Sequence, residues 1–382
     1  MDTNWRLVAL LYVAGLLAAG QFARVALTLD VLAVRYPGAG EALPFAVSAL
    51  AIMGMVFGAT AGALAARIGL RPVLIGGLAA AGALSFAQAL LPPFPLLLGL
   101  RFLEGAAHLA IVVTAPTLLA GIAAPRHQPV VMGIWGTFFG VGFSLTAFFL
   151  PPLLAAGGAG AVFAAHGAAF LVLAGLLWPA TPQFPAPAVL RESWLRSHLA
   201  IYLTPRVVAP AMGFFWHTLM FLGLLTYLPE FIGGWTAPLL PLLALVGTMT
   251  AGALARVVPP RRLLYGAYAA TVVAAGVLAV VPEGLLVPAA FAFLVILGLA
   301  PGAAFAAVPA YNSDVVGRAG ANGAIAQLGN VGTAVSVPLI ALTLPFGLAG
   351  PLAAAAAISL VGWGVIVAVH RAMEAGARRS AA

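Results

Sequence analysis

The sequence predicts an all-α integral membrane protein with twelve transmembrane helices, arranged as two pseudo-symmetric six-helix bundles. Hydrophobic residues make up 63% of the 382 residues and charged residues only 7%, and the mean hydropathy is +1.12. A soluble domain of this length could not bury that much apolar surface, so the chain is predicted to lie in lipid. Apolar segments of about 20 residues, long enough to cross the hydrocarbon as helices, recur between breaks marked by proline, glycine or polar residues.

The two halves of the chain repeat each other, which is the third observation behind this fold class. The segment Ala61–Ala65 recurs as Ala251–Ala255, at an offset of 190 residues, about half of the 382-residue chain. The same offset relates Gly133 to Gly323, Val141-Gly142 to Val331-Gly332, and Arg71 to Arg261. Alanine and glycine are abundant, so the inference depends on the agreement of these matches on one offset. Two homologous halves around a central cavity are typical of secondary transporters.

The predicted helices follow the apolar segments in order. In the first half they cover residues 5–30, 43–65, 72–91, 95–120, 129–152 and 160–179. In the second half they cover residues 205–228, 236–257, 263–281, 286–308, 320–344 and 349–370. The first span is longer than a signal-peptide core and lacks a convincing cleavage site, so it is predicted to be retained.

The longest break between these segments covers residues 180–204 and contains Pro182, Pro185 and Pro187. It divides the chain into an N-terminal six-helix bundle, 1–179, and a C-terminal six-helix bundle, 205–382. The break is predicted to be a cytoplasmic linker, either plain or carrying a short amphipathic helix on the inner membrane face. Because both bundles lie in one chain, a monomer is sufficient for the predicted architecture.

Arginines are distributed unevenly along these segments. With a cytoplasmic N-terminus, fourteen of the seventeen arginines fall in cytoplasmic segments, whereas Asp30, Glu41, Glu230 and Glu283 lie on the outer side. The positive-inside rule expects this asymmetry, so both termini are predicted to be cytoplasmic, in the cytoplasmic (inner) membrane of a bacterium. Topology and the anionic inner leaflet then explain the net charge of +8, and no nucleic-acid partner is predicted.

Two segments carry recognisable motifs. The turn after the second predicted span runs Gly62-Ala-Leu-Ala-Ala-Arg67-Ile-Gly69-Leu-Arg71, and the fourth span carries Arg101-Phe-Leu-Glu104-Gly105. The first resembles the cytoplasmic signature between helices 2 and 3 of the major facilitator superfamily of secondary transporters, and the second is similar to that family's helix-4 pattern. Together with the repeat, the resemblance covers nearly the whole chain and implies the fold of that family.

The resemblance also implies a conformational switch at the cytoplasmic turns. In the first half the switch residues are Gly62, Arg67, Gly69 and Arg71, and in the second half they are Arg256 and Arg261. The chain departs from the family pattern at Ala66, where the family usually has an aspartate that helps to latch the two halves together. The second-half turn has Pro259-Pro260 in place of glycine but keeps its arginines. The latch is therefore expected to be depleted.

The helix-4 segment carries the candidate groups for proton coupling. Arg101, Glu104 and His108 are spaced three and four residues apart, so they share one helix face. A charged side chain inside the membrane is costly and usually faces a cavity or a partner. Glu104 can take up and release a proton, and Arg101 can pair with its charged form. A static ion pair that fastens helix 4 to its neighbours explains the same spacing.

The candidate substrate-binding residues lie in both halves. Gln21 and Arg24 are three apart on helix 1, and the forked donors of an arginine suit a carboxylate or phosphate. The repeat places helix 7 opposite helix 1, so Trp216 and His217 are predicted to complete a central site. Alternatively, Arg24 pairs with Asp30 and Trp216 anchors the helix at the interface.

Helix 11 adds the last two candidate residues, Gln327 and Asn330, which are three apart in an apolar segment. Residues of this type inside the membrane either bind substrate or form hydrogen bonds between helices. The sequence does not distinguish these two roles.

The predicted function is secondary active transport, coupled to protons, of a small polar organic solute, with an organic anion favoured by Arg24. No cofactor and no metal are predicted, since the chain has no cysteine and no phosphate-binding loop. A drug/proton antiporter that exports lipophilic compounds, with Glu104 as the exchanging carboxylate, is the first alternative. An intramembrane enzyme using His108, His166 or His217 is the second, although no catalytic motif supports it.

Overall fold

The computed structural model describes residues 2–58, 61, 65, 68–182, 199, 202–313 and 315–381, without the side chains of 129, 315, 316, 319 and 376–381. All regular elements within these ranges are helices. The chain divides into two compact units, Met1–Arg191 and Glu192–Ala382. The predicted linker 180–204 falls largely on residues 183–198 and 200–201, which lie outside the described ranges.

The described residues of the first unit contain eight α-helices. They are α1 Trp5–Ala26, α2 Leu29–Arg35, α3 Phe45–Ser48, α4 Ala51–Phe57, α5 Leu70–Ala89, α6 Phe94–Ile122, α7 Gln128–Gly136 and α8 Phe138–Ala180. The side chain of Asn4 caps α1 by accepting a hydrogen bond from the Leu7 amide at 3.2 Å. The predicted first span ran to residue 30, but α1 ends at Ala26, where the Thr28 hydroxyl donates to the carbonyl of Arg24 at 2.6 Å.

The 43-residue helix α8 contains two predicted spans, 129–152 in large part and 160–179. Its backbone is not helical at Gly157 and Gly158, and Gly158 has a φ of +63°, in the left-handed region that favours glycine. The chain therefore turns between two helical segments at the predicted break.

In the second unit, the described residues form seven α-helices. They are α9 Pro205–Ile232, α10 Leu240–Leu254, α11 Pro260–Val280, α12 Leu286–Leu297, α13 Leu299–Tyr311, α14 Val315–Ala341 and α15 Ala349–Ala381. Pro205 and Pro260 stand at the first helical position of α9 and α11, where the missing amide proton costs no hydrogen bond. The helix α11 therefore begins three residues before the predicted span 263–281.

Nine helices in the described residues are long and apolar enough to cross a membrane, or ten if the bent pair Gly40–Ser48 and Ala51–Phe57 forms one span. Twelve spans were predicted, and the difference has two physical sources. The helix α8 holds two predicted spans, and α10 has only 15 residues although it is apolar. Large apolar side chains such as Phe148 and Trp178 are exposed, as expected of a surface that faces lipid.

Close helix packing depends on glycine at several contacts. A Cβ atom on Gly142 of α8 would lie 2.6 Å from the carbonyl oxygen of Leu16 on α1. In the second unit, a Cβ atom on Gly247 of α10 would overlap the carbonyl oxygen of Val295 on α12. Small residues at these points let helix backbones approach closely, which is how helices associate in lipid.

Candidate functional site

Three helices of the first unit bring polar side chains together in its interior. The side chains come in pairs or triplets at helical spacing: Gln21 and Arg24 on α1, Ser85 and Gln88 on α5, and Arg101, Glu104 and His108 on α6. All seven residues are buried, and the most exposed of them, His108, retains 8% of its accessible surface. We call these seven residues the buried network.

The Glu104 carboxylate lies at the centre of the buried network. Its Oε1 accepts hydrogen bonds from Gln21 Nε2 at 2.9 Å and from an Arg24 guanidinium nitrogen at 2.6 Å. Its Oε2 accepts from Gln88 Nε2 at 2.8 Å and from an Arg101 guanidinium nitrogen at 2.5 Å. A carboxylate offers about four lone-pair sites, so Glu104 is fully paired in its ionised form.

Arg101 is held by backbone groups as well as by Glu104. Its Nε donates to the carbonyl oxygen of Ala46 at 2.7 Å, and a terminal nitrogen lies 3.4 Å from the carbonyl oxygen of Val47. Both carbonyl groups belong to the short helix α3. Arg101 therefore ties α6 to the bent segment before α4, and its donors are used within the protein.

Arg24 is paired less completely. One terminal nitrogen donates to the hydroxyl of Ser85, and the other donates to Glu104 and, at 3.2 Å, to Gln88 Oε1. The guanidinium carbon lies 4.7 Å from the centre of the Phe163 ring, a distance at which a cation is attracted to the ring face. The Arg24 Nε is buried and has no hydrogen-bond partner within the described ranges of the chain.

The buried network has one positive charge more than it can neutralise. Arg24 and Arg101 both form ion pairs with the single carboxylate of Glu104, and all three side chains are at most 1% exposed. Arg24 does not pair with Asp30, which is exposed on α2. An unbalanced charge inside a membrane protein is expensive, and it usually serves a ligand or an ion.

Gln21 connects His108 to the carboxylate. Because a carboxylate only accepts, the Gln21 amide nitrogen must face Glu104, and its oxygen then faces His108 Nδ1 at 3.0 Å. His108 therefore carries a proton on Nδ1 and donates it to Gln21. The His108 ring also meets the edge of Phe22 at a centroid distance of 5.2 Å.

The sequence assigned Gln21 and Arg24 to substrate and Arg101, Glu104 and His108 to proton coupling, and the structure joins all five in one network. Sequence analysis missed the two other members, Ser85 and Gln88. The signal that would have identified them is the one used for Gln21 and Arg24, namely polar residues three apart in an otherwise apolar helix.

His166, on the second part of α8, lies beside helix α1. Its Nε2 donates to the carbonyl oxygen of Leu17 at 3.0 Å, and its ring lies 4.7 Å from that of Phe170. The Nδ1 atom is buried, and no residue that the structure describes forms a hydrogen bond with it. A Cβ atom on Gly20 would lie 3.1 Å from His166 Nε2, so glycine permits this approach.

In the second unit, the adjacent residues Trp216 and His217 of α9 face different neighbours. The Trp216 ring packs on Gly362 of α15, where an added Cβ atom would lie 2.6 Å from its Cγ, and its Nε1 is buried without a partner. His217 Nδ1 donates to the carbonyl oxygen of Leu297 at 3.1 Å, and its ring stacks on Phe221.

Gln327 and Asn330 of α14 also have separate partners. Gln327 Oε1 accepts a hydrogen bond from the Tyr202 hydroxyl at 2.7 Å. Asn330 donates to the carbonyl oxygen of Ala326, one turn earlier in the same helix, at 2.7 Å. The four predicted residues of the second unit thus engage four different groups.

Gly69, Arg71 and Arg261 lie at helix starts, whereas Arg256 lies in the turn after α10. Gly69 precedes α5 with a φ of +107°, and Arg71 donates to the carbonyl oxygen of Trp178 at 2.6 Å. Arg261, the repeat partner of Arg71, forms a half-exposed ion pair with Glu374 at 2.5 Å. Arg256 is exposed, and Gly62 and Arg67 lie outside the described residues.

Comparison with known proteins agrees with the arrangement of helices. A family profile described as Major Facilitator Superfamily matches residues 10–337. No curated protein sequence matches the chain. Among solved structures, a bacterial homolog of the human lysosomal transporter Spinster, in an inward-facing and occupied conformation, superposes with a TM-score of 0.80 over 97% of each chain, at 13% identity. At that identity the likeness concerns the fold alone.

Proposed function

Because this chain belongs to the major facilitator superfamily, we propose that the buried network of its first unit binds an organic anion and couples its movement to protons. The protein is a multi-pass integral membrane protein and a secondary transporter, not an enzyme, and its substrate is a small molecule. The nature of the substrate and the coupling ion are the subject of the proposal.

The unbalanced positive charge of the buried network is the observation that carries the anion assignment. Arg24 and Arg101 share one carboxylate, and Arg101 uses its remaining donors on backbone oxygens. Of these two arginines, only Arg24 retains a buried donor, its Nε, that has no partner among the described residues. A carboxylate or phosphate on the substrate would supply the missing negative charge, and a guanidinium binds such groups through parallel hydrogen bonds.

Proton coupling follows from competition for Arg24. While Glu104 is ionised, it neutralises Arg24 through the 2.6 Å ion pair. When Glu104 takes up a proton, that ion pair is lost and Arg24 becomes available to the substrate anion. Loading of the proton and of the anion therefore favour each other, and His108, through its hydrogen bond to Gln21, helps to hold the carboxylate in place for this exchange.

The remaining predictions complete the transport cycle. The two bundles, 1–179 and 205–382, would rock about the substrate in alternating access, with both termini in the cytoplasm of a bacterium. We propose that Trp216, His217, Gln327 and Asn330 of the second unit also contact the substrate during the cycle. A monomer is sufficient for this cycle.

The structural features around Glu104 argue against the alternative of a drug/proton antiporter. A cation exporter needs a carboxylate that can attract a cation, but Glu104 faces two guanidinium groups and accepts four hydrogen bonds. A lipophilic cation would have to displace both arginines. Repulsion between like charges in a site of low dielectric opposes that exchange.

The first experiment is a screen for thermal stabilisation of the purified protein by small organic anions and by lipophilic cations. A ligand that binds only the folded state, at one hundred times its dissociation constant, stabilises it by about 2.7 kcal/mol. We expect stabilisation by an anion, lost in Arg24→Gln and kept in the control Arg35→Gln, which removes the same charge at an exposed position. Stabilisation only by lipophilic cations would favour the antiporter instead.

The coupling ion is tested in reconstituted vesicles with the anion found in the screen. We expect an imposed pH gradient to drive accumulation by the wild-type protein. In the fraction of Glu104→Gln that is reconstituted in folded form, which cannot exchange a proton at that position, we expect exchange of the anion to persist and accumulation to be lost. Accumulation that ignores the pH gradient in the wild-type protein would contradict proton coupling.

A further inference from the structure

Helices α11 and α15 of the second unit lie side by side and leave two grooves between them. The first, with a volume of about 380 Å³, is lined by Arg261, Arg262 and Tyr265 of α11, and by His370, Arg371 and Glu374 of α15 among others. The second, of about 230 Å³, is apolar and is lined by the same two helices. We call the first the basic groove and the second the apolar groove.

The basic groove carries an excess of positive charge. Arg261 pairs with Glu374 at 2.5 Å, and both side chains are about half exposed. The side chains of Arg262 and Arg371 have no hydrogen bond or ion pair within the part of the chain that the structure describes. Three arginines against one glutamate leave an excess of two positive charges. A ligand of this groove should therefore be an anion.

His370 forms the floor of the basic groove with two tyrosines. Its Nε2 lies 2.9 Å from the Tyr311 hydroxyl, and its Nδ1 lies 3.0 Å from the Tyr265 hydroxyl. A neutral imidazole donates at one nitrogen and accepts at the other. When the His370 Nδ1 carries the proton, it donates to the Tyr265 hydroxyl oxygen. The Tyr265 hydroxyl proton can then donate to an oxygen of an anion in the groove.

The apolar groove continues from the basic groove deeper along the same helices. It is lined by Tyr268, Ala269, Val272, Leu360 and Trp363. The Tyr268 hydroxyl donates to the carbonyl oxygen of Gly213, so only its ring is offered to the groove. The rings of Tyr265 and Trp363 lie 6.4 Å apart and connect the two grooves. Seven residues separate Trp363 from His370, which corresponds to about 10 Å along a helix.

In the first unit, the arginine at the equivalent position has different partners. Arg71, the repeat partner of Arg261, donates to the carbonyl oxygen of Trp178, and its guanidinium lies over the Trp178 ring at 5.3 Å. The basic groove is therefore a property of the second unit, and the repeat alone does not account for it.

We propose that the seam between α11 and α15 binds an anionic phospholipid. The phosphate lies between Arg262 and Arg371, and an acyl chain lies along Trp363 in the apolar groove. Basic pockets between transmembrane helices at the cytoplasmic side are suited to anionic headgroups. The basic groove lies at the helix ends that the arginine distribution assigns to the cytoplasm.

The test is native mass spectrometry of the detergent-purified protein with phosphatidylglycerol, phosphatidylcholine or inorganic phosphate. We expect phosphatidylglycerol to bind most tightly. The double variant Arg262→Gln/Arg371→Gln should weaken it about 30-fold, at ~1 kcal/mol for each arginine and tenfold for each ~1.4 kcal/mol. The matched control is Arg126→Gln, which removes an arginine of the first unit that is 72% exposed.

Two further variants separate the headgroup from the acyl chain. Glu374→Gln removes the only carboxylate that lines the basic groove, so phosphatidylglycerol should bind several-fold more tightly, which a misfolded protein could not show. Trp363→Ala should weaken phosphatidylglycerol without changing the binding of inorganic phosphate. Equal affinity for phosphatidylcholine, or an equal loss in Arg126→Gln, would overturn the proposal. If inorganic phosphate bound as tightly as phosphatidylglycerol, the ligand of the groove would be a free phosphate and the lipid proposal would be wrong.

Discussion

Replacement of Glu104 by glutamine is expected to destabilise the first unit strongly. The carboxylate accepts four hydrogen bonds, two of them from the buried guanidinium groups of Arg24 and Arg101. A glutamine keeps one acceptor oxygen, and its amide group would meet donors on the other side. The substitution also raises the unbalanced charge of the buried network from one positive charge to two.

The expected loss of stability in Glu104→Gln follows from the burial of its two ion pairs. Removing one partner of a buried ion pair costs about 3–5 kcal/mol, because the other charge is left without compensation. Here two cations lose the same partner, and both are at most 1% exposed. We therefore expect a loss near the upper end of the range, about 5 kcal/mol.

The assay is unfolding of the purified protein in mixed detergent micelles, titrated with dodecyl sulfate and followed by tryptophan fluorescence. The matched control is Glu374→Gln, the same substitution at an ion pair that is about half exposed. For that exposed pair we expect a loss of at most about 1 kcal/mol. The double variant Glu104→Gln/Arg24→Gln restores one unit of charge balance, so it should be less destabilised than the sum of its single variants.

A loss in Glu104→Gln no larger than that of Glu374→Gln would refute this reasoning. It would mean that water reaches the carboxylate or that the two arginines find other partners. Strict additivity in the double variant would lead to the same conclusion, since residues in one ion-pair network are expected to be coupled by about 0.5–3 kcal/mol.

Three further outcomes are expected. Arg24→Gln should abolish uptake of the anionic substrate in reconstituted vesicles, and uptake at the wild-type rate would contradict the anion assignment. Gly247→Ala should lower the free energy of unfolding by about 1–3 kcal/mol, because the added methyl group meets the carbonyl oxygen of Val295. The control Gly276→Ala places its methyl group in open space and should leave that free energy unchanged. Equal effects in the two variants would contradict close packing at Gly247. Ser85→Ala should lower the free energy of unfolding by about 1–3 kcal/mol in the same assay, because it removes the hydroxyl that accepts a hydrogen bond from Arg24. An unchanged unfolding midpoint would exclude that contact.

The sequence by itself determined that this protein lies in a lipid membrane and which segments span it. Its apolar content requires lipid, and nearly every predicted span corresponds to a helix or to part of one. The repeat and the two motifs indicated the family that the profile match shows. Spacing also identified polar residues that share one face of one helix, such as Arg101 and Glu104, because the helical period is a local property of the chain.

Only the tertiary structure decided which of those faces meet. Gln21 and Arg24 were assigned to a different role from Glu104, yet they are bonded to it, and Ser85 and Gln88 join them from a third helix. In lipid, helices of similar apolar composition have no hydrophobic force that selects their partners. Steric fit at small residues and hydrogen bonds between helices set their rotation and pairing. These are contacts between residues far apart in the chain, and no local pattern encodes them.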